Sequence, residues 1–206
     1  WIFGNEVEAV NIDTKKIADL TTIAPGEIVD VYYHDNKFCG RGFINPKSQI
    51  LVRLLTRKKE EINEQFFYNR IAQCWKYRQQ IGYTENCRLV FGEADEMPAL
   101  IIDKFNDYFV IQTLAYGMEV WKPAIVKALQ QIFLPKGIYE RNDVPVRELE
   151  GLPQVKGFLS EPFDTQITIN ENGLKFLVDV ENGQKTGYFL DQQDNRRAIQ
   201  HIVKGA

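Results

Sequence analysis

Three segments near the N-terminus alternate apolar and polar residues in the period of a β-strand: Glu27–Tyr33, Phe38–Ile44 and Ile50–Leu55. The polar turn signal His34–Lys37 separates the first two. Gly40 and Gly42 flank Arg41 in the second segment, which indicates a β-bulge or a close approach of another backbone. The pattern predicts a compact, barrel-like β unit over roughly the first 57 residues.

Helical spacing replaces the strand period after this unit. The apolar positions that recur at helical spacing are Ile62, Phe66, Phe67, Ile71, Cys74, Trp75 and Ile81. Asn63 is placed to cap the N-terminus, and Gly82 can adopt the left-handed conformation that ends a helix. We expect the aromatic stripe of this helix to pack in the core rather than to stack on bases.

A second unit, with strands arranged around one helix, is predicted from Cys87 onward. Its predicted strands are Cys87–Phe91, Ala99–Asp103, Asp107–Leu114, Gly137–Glu140, Gln166–Ile169 and Lys175–Val180. Apolar spacing predicts a helix over Glu119–Phe133, with Pro123 tolerated only in its first turn. Asn172-Gly173 is the strongest hairpin signal in the chain. The order strand, strand, helix, strand, strand indicates an α+β fold that closes its own core.

Composition and cysteine usage narrow the cellular setting. The 206 residues are 44% hydrophobic, which suits one large or two small domains, and no apolar run approaches the length of a membrane span. No secretory signal pattern is present, and the 3 cysteines include no CxxC pair. We therefore expect a soluble, cytoplasmic protein. With only 2 histidines and widely spaced cysteines, no metal site is expected.

Charge is distributed unevenly along the chain. The net charge is -3, which argues against a general polyanion binder. Residues 36–59 nevertheless contain no acidic residue, and their cations are Lys37, Arg41, Lys47, Arg53, Arg57, Lys58 and Lys59. By composition alone a solvated face is the favoured interpretation. The aromatic and glycine residues in the same stretch shift the interpretation towards nucleic acid.

The segment Tyr139–Leu152 is densely charged with both signs. Glu140 and Asp143 could serve as an acid–base pair only if their environments raised one pKa and not the other. No sequence feature indicates such burial. Arginine–carboxylate pairs that lock a loop are therefore the favoured interpretation.

Six runs of residues occur in the order found in a known family. They are Trp1-Ile2-Phe3, Gly40-Arg41-Gly42, Gly92-Glu93-Ala94-Asp95, Tyr139-Glu140-Arg141-Asn142-Asp143-Val144, Glu150-Gly151-Leu152 and Lys185-Thr186-Gly187-Tyr188-Phe189-Leu190-Asp191-Gln192. In these runs the sequence resembles the bacterial large-subunit rRNA 5-methylcytosine methyltransferases that begin with a PUA domain. The similarity spans essentially the whole chain, and the last two runs are specific.

The resemblance implies a domain plan. It places a PUA-like RNA-binding domain at 1–60, a linker helix at 61–84, an α+β middle domain at 85–182 and the start of a class I, Rossmann-like methyltransferase domain at 183–206. The glycine-rich cofactor loop, the Asp-Pro-Pro motif and the catalytic cysteine of the family would follow Ala206. Relatives usually have His-Pro before the residue that is Trp1 here, and often an arginine in place of Gln193. The chain is expected to be the N-terminal portion of a longer enzyme.

The resemblance also implies contacts with S-adenosylmethionine in the last run: Lys185, Thr186, Phe189, Asp191, Gln192 and Arg196. The alternative is a plain helix entrance in which Asp191 caps and Asp194 favours the positive end of the helix dipole. Catalysis in this family adds a cysteine thiolate to carbon 6 of cytosine. None of Cys39, Cys74 and Cys87 matches that nucleophile. We therefore expect no catalytic residue in the chain, and neither turnover nor measurable cofactor affinity from the chain alone.

RNA contacts are expected in the first domain, from Lys37, Arg41, Lys47, Arg53 and Arg57 to phosphates. Such contacts set position more than sequence and weaken steeply with salt. Ribosomal RNA is the implied partner, and a second copy of the chain is a candidate partner for the aromatic helix at Phe66–Trp75. A stand-alone RNA-binding or dimerisation module without catalysis is the alternative to a methyltransferase portion.

Overall fold

The computed structural model describes residues 1–8, 10–12, 15–17, 20–199 and 202–203. Its order of elements alternates strands with two long helices and several short 3-10 helices. Within the described part of the chain, no helix has both the length and the apolar character needed to cross a membrane.

The N-terminal unit is built on a four-stranded antiparallel sheet in the order β1, β6, β5, β4, and a separate ladder pairs β2 with β3. The strands are β1 Ile2–Phe3, β2 Val10–Ile12, β3 Lys15–Ile17, β4 Ile28–Tyr32, β5 Phe38–Ile44 and β6 Ile50–Thr56. The three strands predicted from periodicity are confirmed as β4, β5 and β6. Closure into a barrel stays a prediction, because β1 and β4 stand at the two ends of the observed order.

The glycines beside Arg41 serve a close approach of two strands. The pairing of β5 with β6 shifts register between Arg41 and Gly42, which confirms the predicted bulge. A Cβ atom on Gly42 would lie 2.0 Å from the Arg53 carbonyl oxygen. Only glycine therefore fits where the two strands meet.

Helix α1 spans Glu64–Gln80 and begins and ends as predicted. The Asn63 side chain accepts a hydrogen bond from the Phe66 amide at 3.0 Å, and Gly82 has a φ of 97°. Phe67 and Ile71 are fully buried, which confirms that the aromatic stripe packs in the core. A second copy of the chain as a partner for the exposed part of this helix stays a prediction.

The middle of the chain forms a five-stranded sheet in the order β11, β10, β9, β8, β7. The strands are β7 Asn86–Phe91, β8 Leu100–Phe105, β9 Tyr108–Thr113, β10 Gly137–Asn142 and β11 Val155–Phe158. A long helix, α2 (Tyr116–Phe133), connects β9 to β10, the only parallel pair among the ladders of this sheet that the structure describes. The sheet takes its last strand from Val155–Phe158, which the sequence pattern does not predict.

Helix α2 spans Tyr116–Phe133 and begins three residues before the predicted start at Glu119. Pro123 consequently lies inside the helix rather than in its first turn, so that part of the prediction is wrong. Packing explains the early start. A Cβ atom on Gly117 would lie 2.0 Å from the Phe43 ring, so the first turn of α2 is pressed against β5.

The C-terminal part consists of a hairpin and a short helix. Strands β12 Gln166–Glu171 and β13 Leu174–Asp179 pair with each other and form a separate two-stranded sheet. Asn172 and Gly173 have φ values of 53° and 83°, which confirms the predicted turn. A 3-10 helix at Leu190–Gln192 leads into helix α3 at Gln193–Ile199.

One hydrophobic core joins the N-terminal sheet to the middle sheet. Phe43 and Leu55 belong to the same buried cluster as Phe67 of α1, Ile125 of α2 and Ile111 of β9. A second cluster lies under the β12–β13 hairpin, and its members include Phe105, Tyr139, Ile169, Val178 and Leu190. The predicted domain boundaries stay predictions, and the two units are in firm contact.

Candidate RNA-binding surface and C-terminal segment

Arg41, predicted to contact RNA, is held by a carboxylate on the neighbouring strand. Its Nε and Nη2 donate to the two oxygens of Asp30 at 2.6 and 3.0 Å, and its Nη1 donates to the Glu60 carbonyl at 2.7 Å. The hydrogen bond from Arg41 holds the pKa of Asp30 below its usual value. Bidentate geometry makes this a strong pair, so Arg41 is tied into the sheet.

Arg53, also predicted to contact RNA, reaches a carboxylate from the middle of the chain. Its Nη2 donates to Glu150 Oε1 at 2.8 Å, and the Glu150 carboxylate also accepts from Ser48 Oγ at 2.6 Å and Asn45 Nδ2 at 2.9 Å. Burial alone would raise the pKa of Glu150. The three hydrogen bonds lower the pKa by more than burial raises it, so it lies below its usual value. The Glu150-Gly151-Leu152 run is thereby anchored to the N-terminal sheet.

The other three predicted RNA contacts are more exposed. Lys37 pairs with Asp35 at 2.7 Å in the β4–β5 turn. Lys47 lies in the β5–β6 turn, whereas Arg57 follows the other end of β6 and donates to the Cys39 carbonyl at 3.3 Å. Among the described residues, neither Lys47 nor Arg57 forms an ion pair. Lys47 and Arg57 lie beyond opposite ends of β6, whose 7 residues at about 3.3 Å each place them ~20 Å apart. The five predicted residues therefore do not form one cluster.

A cluster of aromatic rings and a lysine stands at the tip of the β4–β5 hairpin. The Tyr32 and Phe38 ring centroids are 5.7 Å apart, and Lys59 Nζ lies 5.4 and 5.3 Å from them. The sequence-derived site residues leave out all three. Phe38 and Lys59 belong to the acid-free stretch 36–59, but Tyr32 precedes it, so only the fold brings the three together.

A cleft of about 750 Å³ opens between the end of β6, the first turns of α1 and the 3-10 helix at Gly92–Asp95. Its walls include Trp1, Arg57, Lys58, Phe66, Arg70 and Glu93. Trp1 Nε1 donates to Glu93 Oε1 at 2.9 Å, which links two of the family-like runs. No local pattern predicts this cleft, because its walls are assembled from three distant segments.

The charged segment Tyr139–Leu152 forms the predicted arginine–carboxylate pairs. Arg141 Nε donates to Asp143 Oδ1 at 3.0 Å. Its Nη1 donates at 3.0 Å to each of two carbonyls that follow β13, those of Val180 and Gly183. Arg141 therefore holds the residues that lead into the C-terminal segment. The interpretation that arginine–carboxylate pairs lock this loop is confirmed.

Arg147 anchors the same segment to α2. It is 1% exposed and donates from Nη1 to Glu119 Oε2 at 2.9 Å and to the Thr113 carbonyl. Lys122 joins Glu119 to Glu140, at 2.6 and 2.8 Å. Because Glu140 is bound by Lys122 inside this network, its role is structural rather than that of a free acid or base.

Thr186 and Arg196, two of the six predicted cofactor contacts, bind the protein itself. Thr186 is fully buried, and its Oγ1 donates to Asp103 Oδ2 at 2.5 Å. Arg196 donates from Nε and Nη2 to the buried carboxylate of Glu171 at 2.6 and 2.9 Å. These contacts dock the C-terminal segment on β8 and on the β12–β13 hairpin.

The other four predicted cofactor contacts lie together near the surface. Lys185 Nζ lies 4.3 Å from the Phe189 ring centroid and 3.5 Å from Asp191 Oδ1. Gln192 is exposed and donates to Asp191 Oδ2 at 3.3 Å. The Phe189 ring, with Lys185 over it and a carboxylate and an amide close by, offers the apolar and hydrogen-bonding groups that a nucleoside binds, so these residues fit the predicted cofactor. Asp191 lies in the 3-10 helix before α3 rather than at a capping position, and the role of all six stays a prediction.

The cysteines have the properties of structural thiols. Burial raises the pKa of both Cys74 and Cys87 to about 11, so neither supplies a thiolate near neutral pH. Cys39 is partly exposed, and its carbonyl accepts from Arg57. Within the described ranges, no group of histidines, cysteines and carboxylates has the arrangement of a metal site.

The comparisons with known proteins agree with these features. Residues 1–57 match the family of the PUA-like domain. The chain is 39% identical to Ribosomal RNA large subunit methyltransferase I of Vibrio campbellii, over 99% of its own length and 50% of that protein. It is 40% identical to the protein of the same name from Shewanella denitrificans, over 100% of its own length and 51% of the relative. The chain thus spans about half the length of the curated relatives it matches.

Solved structures share the fold at lower identity. A protein of Streptococcus mutans assigned to the SAM-dependent methyltransferases superposes with a TM-score of 0.70 at 22% identity, covering 85% of this chain and 46% of that one. A second structure, assigned as a methyltransferase and complexed with SAH, also has a TM-score of 0.70 at 21% identity, covering 85% and 45%. The solved structures therefore show that the mixed α/β fold is one found in such proteins. The resemblance seen in the sequence is confirmed by the sequence relatives.

Proposed function

We propose that this chain, which resembles the PUA-domain-containing rRNA methyltransferases, is the RNA-recognition portion of a cytoplasmic, S-adenosylmethionine-dependent rRNA (cytosine-C5) methyltransferase. One observation carries the proposal. The match of residues 1–57 to the PUA-like domain lies within similarity that covers 99% of the chain to relatives named for large-subunit rRNA methylation. The substrate of the whole protein is then large-subunit rRNA, and the fold presents RNA to a methyl-transfer domain.

The cations of the N-terminal unit divide into two roles under this proposal. Lys37, Lys47 and Arg57 contact phosphates directly, because their charged ends are exposed. Arg41 and Arg53 hold the sheet and the Glu150 loop in place, and the part of their charge that is not compensated adds to the local potential. Direct contacts of this kind position RNA without reading its bases.

The C-terminal segment divides in the same way. When bound, S-adenosylmethionine supplies the methyl group for the reaction. Lys185, Phe189, Asp191 and Gln192 form one wall of its site, whereas Thr186 and Arg196 position the segment through Asp103 and Glu171. The chain's own task is to hold that wall against the middle sheet.

The chain by itself does not transfer methyl groups under this proposal, because none of Cys39, Cys74 and Cys87 matches the nucleophile of the family it resembles. Two have a pKa of about 11, and addition to a pyrimidine ring needs a thiolate. The chain incubated with deproteinised large-subunit rRNA and radiolabelled S-adenosylmethionine should leave the RNA unlabelled. Label that is retained on cytosine, and lost when Cys39 is replaced by serine, would overturn this part.

RNA binding is tested by reversing the charges of Arg57 and Lys58, which form no ion pair among the described residues. In Arg57→Glu with Lys58→Glu, the slope of log affinity against log salt for a large-subunit rRNA fragment should fall by about 1 for each lost phosphate contact. Affinity at moderate salt should fall at least tenfold, on the order expected for two phosphate contacts. Fluorescence anisotropy over a salt series measures both quantities.

The matched control is Lys175→Glu, because Lys175 is exposed on the distant β12–β13 hairpin and forms no ion pair among the described residues. It should bind as the unaltered chain does. Lys175→Glu reverses one charge and the double variant two, so a control that loses half as much log affinity as the double variant would show that only net charge matters. An unaltered chain without affinity for rRNA would remove the proposed function itself.

A further inference from the structure

We propose that the cluster of Tyr32, Phe38 and Lys59 at the tip of the β4–β5 hairpin binds an unpaired RNA nucleotide. The base stacks on the Tyr32 ring, and Lys59 contacts the adjoining phosphate. The inference rests on the proposed RNA-recognition function and extends it, because it names single-stranded RNA as the class of ligand and a stacking platform as the means.

The geometry of the two rings leaves a stacking face available. Tyr32 ends β4 and Phe38 begins β5, and the two residues are direct partners across the ladder. Their rings meet edge to face at an interplanar angle of 76°, so Phe38 supports Tyr32 without covering it as a parallel ring would. Tyr32 is 48% exposed despite its large apolar ring.

Lys59 supplies a cation that lies over the Tyr32 and Phe38 rings. Its Nζ lies within 5.4 Å of both ring centroids, and it forms no ion pair with any residue that the structure describes. The exposed Tyr32 ring favours a ligand with an aromatic ring, and the Lys59 ammonium favours a ligand with a negative charge. A nucleotide has both.

The surroundings of the cluster are positive on balance. Arg57 and Lys58 precede Lys59 and, within the described ranges, pair with no carboxylate. The nearby Asp30 is bound by Arg41, and the Glu60 carboxylate accepts from Thr56. The Thr56 hydroxyl does not cancel the charge of Glu60, and Asp35 in the β4–β5 turn is paired with Lys37, so Glu60 and Glu61 remain against three cations.

The ligand must present an unstacked base. In a duplex, both faces of every base are covered by neighbouring pairs, whereas loops and single strands expose them. Stacking of a base on an aromatic side chain contributes about 1–3 kcal/mol and tolerates any base, because each has a π-face. The platform therefore selects single-stranded structure rather than sequence.

The chain contains a matched control in the adjacent residue. Tyr33 is 55% exposed, slightly more than Tyr32, but its hydroxyl meets the Cys39 thiol, and this hydrogen bond raises the tyrosine pKa. Tyr33 has no described ring partner and is not in contact with Lys59. The two tyrosines therefore differ in their place in the cluster and not in residue type or exposure.

The experiment measures the affinity of the full chain for a fluorescent oligouridine and for a blunt RNA duplex of equal length. Tyr32→Leu should weaken oligouridine binding by roughly 5- to 100-fold, the equivalent of one lost base stack, and should leave duplex binding unchanged. Tyr32→Phe and Tyr33→Leu should each bind oligouridine as the unaltered chain does. Equal urea midpoints for all variants establish that the sheet is intact.

Ultraviolet crosslinking gives an independent readout. Irradiation of the oligouridine complex should join uridine to Tyr32, as mapped by mass spectrometry, and the crosslink should be absent in Tyr32→Leu. Unchanged oligouridine affinity in Tyr32→Leu, or equal loss in Tyr32→Leu and Tyr33→Leu, would overturn the stacking platform. If rRNA fragments still bind in a salt-dependent manner in that case, the proposed function stands, and if no RNA binds, both fail.

Discussion

Glu150 shows how one residue can join two parts of the fold. Its carboxylate accepts from Asn45 and Ser48 of the β5–β6 turn and from Arg53 of β6, although Arg53 is 97 positions away in sequence. The Glu150 side chain is 4% exposed. Removing a buried partner leaves the other charge uncompensated, which costs more than the pair itself contributes.

Glu150→Ala should therefore destabilise the chain by about 3–5 kcal/mol, and Glu150→Gln by about 2 kcal/mol, because the amide keeps part of the hydrogen bonding. Urea unfolding followed by tryptophan fluorescence measures both. Glu148→Gln is the control, since Glu148 lies in the same 3-10 helix but is exposed. A loss in the control as large as that in Glu150→Gln would contradict the anchoring role.

At the scale of elements, the start of α2 is set by contact with β5. Gly117→Ala places a methyl group about where the Phe43 ring now lies, with the nearest ring carbon 2.0 Å away. The chain must shift to accommodate it, and overpacking of this kind costs about 1–3 kcal/mol. The urea midpoint should fall accordingly.

The companion variants separate crowding from helix propensity. Gly117→Ala combined with Phe43→Leu should recover part of the loss, because the smaller side chain makes room. Gly157→Ala lies in open space on β11 and should have little effect. A Gly117→Ala variant as stable as the unaltered chain would show that α2 does not press on β5.

Elements governed by local chemistry were predictable from the sequence. Asn63 caps α1 through its own side chain, and Asn172-Gly173 turns the hairpin through positive φ values, so neighbouring residues suffice to predict both. The early start of α2 and the strand β11 depend on distant packing. Sequence periodicity does not register either of them.

The RNA-binding residues could also be predicted only in part from the sequence. The acid-free stretch correctly locates cations in the N-terminal unit, but its sequence does not contain the carboxylates that bind two of them. Asp30 precedes the stretch, and Glu150 follows it by many residues. The fold therefore decides which cations are available for RNA. Lys59 becomes a candidate only because the structure places it beside the Tyr32 and Phe38 rings.

Across the whole molecule, the junction between the N-terminal and middle units should be sensitive to acid. Glu150 at the sheet and Glu119 in the α2 network both have a pKa held below the usual value of 4.5, because hydrogen bonds to each carboxylate outweigh the effect of burial. A carboxylate with a lowered pKa in the folded state binds fewer protons folded than unfolded at acidic pH. Its contribution to stability is present above pH 4.5 and is lost as the pH falls through the folded-state pKa.

The loss of stability expected in acid can be tested at Glu150 alone. The difference in free energy of unfolding between the unaltered chain and Glu150→Gln should be largest near neutral pH and should narrow steadily as the pH falls below 4.5. Urea unfolding at a series of pH values measures it, and Glu148→Gln should show no such narrowing. A gap that stayed constant, or widened in acid, would mean that the charge of Glu150 does not hold the junction.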